Sequence, residues 1–144
     1  MVKSREREFL LPLAELVDRL TIDQIKEVLL PKHRESFAQE MLKIEHDIDA
    51  VIGEKRLKLT SRLLRIVVAI AQMNLHIWYN KDRMKQNPVD TEAYMQLLKL
   101  SHQLNGVKNR MKNLLLEETN DREKSLEKSN FNTDGLSGWD ISVT

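Results

Sequence analysis

Apolar residues recur along most of the chain at intervals of three and four, the spacing that gathers side chains on one side of an α-helix. Leu13, Leu16, Val17 and Leu20 follow Pro12, a residue suited to a first helical turn. The apolar phase then moves to Ile22, Ile25 and Leu29, just after Thr21 and Gln24, which have capping-box spacing. The helix therefore either restarts or turns its face there. Pro31 stops it. Ser36 and Gln39 form a second capping pair ahead of Phe37, Met41, Ile44, Ile48 and Val51, and Gly53 is the expected end of that helix.

Thr60 or Ser61 opens a long helix in which Leu63, Leu64, Ile66, Val67, Val68, Ile70, Ala71, Leu75 and Trp78 are apolar nearly all round, predicting a central, enclosed helix. Asn87 and Pro88 close it. Asp90 or Thr91 caps the last helix, where Leu97, Leu100, Leu104, Val107, Met111 and Leu114 form a heptad seam. The seam calls for a long antiparallel partner, either the preceding helix across the Pro88 turn or a second subunit. Gly106 within it suits close packing. After Glu118 the period is lost, and the chain becomes rich in Asn, Ser, Asp, Glu and Lys. The expected fold is all-α: an antiparallel bundle of four to five helices over residues 10–118, two of them long. A flexible N-terminus (1–9) precedes it and a disordered or partner-docking tail (119–144) follows.

Composition agrees with helices: 144 residues, enough for one domain, contain only 4 Gly and 3 Pro. With 23 basic and 22 acidic residues, the chain presents no global field toward nucleic acid or an anionic membrane. The absence of Cys removes disulfides and thiolate zinc sites and fits a reducing compartment. The basic opening lacks the apolar core of a signal peptide, and Arg65, Gln72, Asn74 and His76 interrupt the most apolar stretch. A cytoplasmic location without membrane insertion is the expectation.

Nucleotide-cradling glycine loops, zinc-helix signatures and nucleophile elbows are missing. His33, His46, His76 and His102 lie on separate elements, which disfavours a transition-metal site. Glu15 and Asp18, one turn apart, are candidate magnesium ligands; the alternative is a solvated charged face. The Glu-x-x-Asp pair resembles half of the motif of MazG-like all-helical nucleotide pyrophosphohydrolases, which hold magnesium on paired carboxylates. The resemblance implies magnesium-dependent cleavage between phosphates. The second pair would have to come from Glu40, Glu45, Asp47 and Asp49, which do not form the Glu-x-x-Glu of that family. Without it, no cofactor is expected.

Asn74, Trp78 and Asp82 fall at successive four-residue steps and share a helix face. They either line a ligand pocket, with Trp78 as a stacking wall, or satisfy neighbouring polar groups. Asn105, Lys108 and Lys112 form a second polar stripe beside the seam, a phosphate-binding candidate or simply its wet side. The segment LAELVDRLTIDQIK resembles the opening of a group of uncharacterised small helical proteins of bacteria and phages, often encoded among surface-polysaccharide genes. Glu15, Asp18, Arg19, Thr21 and Lys26 carry that likeness. Trp78 with Asp82, and Asn105 with Lys112, match two further patterns of the group. Lys81 stands where the group has Glu, and Lys108 where it has Arg. The resemblance implies that these stripes, with Lys26, face one shared pocket.

Phe131, Trp139 and Ile141 punctuate the polar tail and either dock a protein partner or fold back onto the domain or a neighbouring subunit. The reading that follows is a non-catalytic helical module, homo-oligomeric through the heptad helix, binding a protein partner or a small phosphorylated ligand between helices. A magnesium-dependent pyrophosphohydrolase is the alternative. A nucleic-acid adaptor is disfavoured by the neutral charge balance.

Overall fold

The computed structural model describes residues 11–120, 136, 138, 139 and 141–143. Four helices, α1 (Leu13–Leu29), α2 (Arg34–Lys55), α3 (Ser61–Lys85) and α4 (Glu92–Glu118), carry the fold, and a single 3₁₀ turn (Pro31–His33) joins the first two. Among the described residues there is no strand, and no helix is long and apolar enough to cross a membrane.

The chain forms two antiparallel hairpins. Along α3 and α4, Arg62 meets Glu118, Asn74 meets Lys108 and Asn80 meets Ser101, so rising numbers on one helix face falling numbers on the other. Helix α1 packs against all three other helices, whereas α2 packs on α1 and its connecting turn without a close backbone approach to α3 or α4. The main core gathers Leu13, Leu16 and Val17 of α1, Ile44 and Val51 of α2, Ile66 and Ile70 of α3, and Met111, Leu115 and Leu116 of α4. The heptad seam is thus consumed inside the chain, against the preceding helix. Gly106 lies buried in it.

Local chemistry explains the helix ends. Thr60 and Thr91 accept hydrogen bonds from the backbone N–H groups of Leu63 (3.1 Å) and Tyr94 (3.3 Å), so Thr91 rather than Asp90 caps α4. Two boundaries differ from expectation, and at a third the structure decides between two readings. Helix α1 runs unbroken through Thr21, whose hydroxyl donates back to the Asp18 carbonyl at 2.9 Å instead of capping a restart. Helix α2 starts at Arg34 straight from the 3₁₀ turn, which leaves Ser36 inside the first turn. It also passes Gly53 and ends at Arg56, in the left-handed region (φ 51°), where Leu57 N–H reaches the Ile52 carbonyl at 3.0 Å.

Helix α3 is not enclosed. Leu64, Val68 (63% exposed), Leu75 and Tyr79 face outward along one stripe. The physical reason is the placement of α2, which lies against α1 and does not close over α3, so among the described residues one stripe of α3 is left largely exposed.

Candidate functional site

Where α1, α3 and α4 meet, six polar side chains form one network. On α1, Glu15, Asp18 and Thr21 follow each other at three-residue steps; on α4, Lys108 and Lys112 are one turn apart, so both rows project on single faces. Asn74 of α3 stands between them. Its amide donates to Asp18 Oδ1 and to Thr21 Oγ1, both at 2.8 Å, and its carbonyl oxygen accepts from Lys108 Nζ at 3.1 Å. Lys108 also lies 3.3 Å from Asp18 Oδ1. Lys112 Nζ is 2.5 Å from Glu15 Oε1 and 3.5 Å from Asp18 Oδ2. Asp18, Lys108 and Lys112 are at most 9% exposed, and Glu15 is the partly open end of the network.

Two carboxylates and two ammonium groups bring no net charge into the core, and every donor direction described ends on an acceptor. This is how buried charge is tolerated. The residues read separately as magnesium ligands (Glu15, Asp18) and as phosphate binders (Lys108, Lys112) are therefore each other's counter-ions. A divalent cation at Glu15 and Asp18 would have to sit against two ammonium groups, and among the described residues no three His, Asp or Glu side chains converge as a metal site. The donor set does not fit magnesium.

The other candidates separate. Asn74 enters the network, but Trp78 and Asp82 lie half-buried one and two turns further along α3. Asn105 is half-buried, a turn before Lys108. Lys26 belongs to the α1–α2 side, its ammonium 5.4 Å from the centre of the Phe37 ring. Phe131 lies outside the described residues. Trp139 and Ile141 pack on α3 and α4 of the same chain, over the cluster of Met73, Leu104 and Val107.

Two features escaped sequence reasoning. The first is a groove of about 720 Å³ between α1, α2 and α3, with an apolar floor that includes Leu20, Ile25, Met41, Leu42, Ala71 and Leu75. Thr21, Gln24, Glu27 and Glu45 are its polar lining. Leu42 and Leu75 lie off the core-facing sides of their helices, a signal that marks surplus apolar surface without saying where it gathers. The second is Asp23, buried at the α1–α2 interface with Oδ2 unpartnered. Burial first, and the Glu40 carboxylate second, hold its carboxyl above the ordinary aspartate range, against the opposing pull of Lys26 and Arg19. No family model, curated protein or solved structure matches this chain.

Proposed function

We propose that this chain is a non-catalytic helical docking module whose open groove between α1, α2 and α3 receives an amphipathic helix of a protein partner. The observation that carries this reading is the gap between α2 and α3, a groove with an apolar floor of the kind that takes the i, i+3, i+4 and i+7 anchors of a guest helix. Glu27 and Glu45 edge that floor, and among the described residues no basic side chain lines it, so the fitting guest carries an apolar face bordered by Lys or Arg. The buried network supports a non-catalytic reading because its acids and bases neutralise each other. A phosphorylated small ligand at Lys108 and Lys112 would first have to displace Asp18 or Glu15 from contacts of 2.5–3.5 Å. Magnesium-dependent hydrolysis meets the same obstacle from the opposite sign.

The test uses two designed helical peptides with identical Leu positions, one edged with Lys and the other with Glu, titrated against the full chain by fluorescence anisotropy. The Lys-edged peptide is expected to bind, and Leu42→Glu with Leu75→Glu to weaken it at least tenfold; the Glu-edged peptide is expected not to bind. Equal binding of both peptides, or of neither, overturns the reading. Light scattering across protein concentration adds one distinction: self-association lost in the same variant would identify a second copy as the guest.

A further inference from the structure

Helix α3 is apolar on two opposite faces. Ile66, Ile70 and Met73 fill the core, while Leu64 (49% exposed), Val68 (63%), Leu75 (38%) and Tyr79 (50%) stand at the surface. Leu64, Val68, Ala71, Leu75 and Trp78 follow each other at steps of four and three, the spacing with which one helix packs along another. From Leu64 to Tyr79 the stripe is about 22 Å long. Ala71 and Leu75, in its middle, are also the α3 wall of the groove. The facing helix carries a matching row: on α2, Leu42, Glu45, Asp49 and Ile52 are exposed at steps of three and four. The two sides differ in charge. Helix α3 holds Arg62, Arg65, Lys81, Arg83 and Lys85 against the single acid Asp82, and all of those bases except Arg62 are exposed. Glu27, Glu45 and Asp49 stand across the gap. The guest that suits this groove is an apolar helix edged with Lys and Arg, and α3 is itself such a helix.

Resting on the groove as a helix-docking site, we infer that its occupant is a second copy of this chain, the two molecules pairing about a twofold axis with the α3 stripe of each in the groove of the other. A twofold interface uses one patch twice, so that patch must be guest and host at once. The α3 stripe meets this condition, because the same residues form a ridge at the surface and the wall of the groove. Across the axis the helices lie in the order α2, α3, α3, α2, and each incoming α3 fills the space between α2 and α3 of its neighbour. Its Lys and Arg edges then run beside Glu45 and Asp49 of the neighbouring α2. With the two α3 helices antiparallel and Val68 opposite Leu75, Arg65 of one copy comes within about one turn of Asp82 of the other. The exposed apolar row is buried without a foreign partner, and α3 becomes the enclosed helix that its all-round apolar sequence predicts.

Sedimentation velocity of the full chain, from low micromolar to submillimolar concentration, measures the pairing. A reversible monomer–dimer equilibrium is expected. Val68→Glu should weaken it at least tenfold, whereas Val89→Glu, at the equally exposed turn between α3 and α4, should leave it unchanged. Val68 lies at the surface and outside the groove lining, so the Val68→Glu chain keeps both its core and its docking site. The Lys-edged helical peptide is therefore expected to bind Val68→Glu, and to bind it more tightly than wild type at concentrations where the wild type dimerises. A wild-type chain that stays monomeric throughout yet binds the peptide overturns self-pairing, makes the guest a different protein, and leaves the docking groove standing. A monomer that binds no peptide overturns both readings. A dimer as stable in Val68→Glu as in wild type, or weakened equally by Val89→Glu, overturns pairing through α3. Species heavier than a dimer overturn the twofold arrangement.

Discussion

Lys108 Nζ lies 3.3 Å from Asp18 Oδ1, a contact between side chains ninety positions apart that joins the first helix to the last. Both groups are nearly removed from water, so deleting one leaves the other's buried charge under-compensated: without Lys108, Asp18 keeps Asn74 and the more distant Lys112. Lys108→Met is expected to cost about 3–5 kcal/mol in urea unfolding. Adding Asp18→Asn to it should restore part of the loss, giving a double-mutant coupling of about 1 kcal/mol or more. Strict additivity would show that the two charges do not sense each other.

Asp23 gives the protein a pH dependence of known sign. Its carboxyl is held above the unfolded value of about 3.9, so between that value and the raised folded value the native state binds the extra proton. Stability from this group is greatest below the unfolded value and falls as pH rises through the folded one. Asp23→Asn removes the ionisation. The variant should gain on the wild type across that acid window and stay more stable at pH 7, as read by urea unfolding at several pH values. An unchanged difference across the window would rule out a raised carboxyl.

The open side of α3 can be checked by comparing neighbours. Ile70 is fully buried and Val68 is 63% exposed, two residues apart on the same helix. Ile70→Ala should lower stability by about 2–5 kcal/mol, while Val68→Ala should stay within about 0.5 kcal/mol. Similar losses at both would mean that α3 is covered on all sides.

Asn80 donates to the Leu97 carbonyl at 2.8 Å and to Ser101 Oγ at 2.6 Å, binding the two long helices near their shared turn. Asn80→Ala removes both bonds and leaves the buried Ser101 hydroxyl without its donor, and should cost about 1–3 kcal/mol. Thr91→Ala, which removes only the α4 cap, should cost about 1 kcal/mol. Thermal or urea denaturation ranks the two; a smaller loss at Asn80 than at Thr91 would contradict the buried geometry.

What the sequence determined by itself was local. The three-and-four spacing points to four to five helices, because burying one stripe per helix follows from periodicity alone, and it places the openings of the two long ones at Thr60 or Ser61 and at Asp90 or Thr91; the structure forms four and caps those two with Thr60 and Thr91. Glu15, Asp18, Asn74, Lys108 and Lys112 stood out as polar residues beside apolar stripes. Whether they were ligands or counter-ions was not legible, since that depends on which faces meet and their partners lie 34 to 97 positions away. The tertiary structure alone decided that the two lysines neutralise the two acids, that α2 rests on α1 and leaves α3 uncovered, and that Trp139 turns back onto its own helices. Each of these outcomes is set by the relative placement of whole helices, and a hydrophobic period records which face of a helix is buried but not which neighbour buries it.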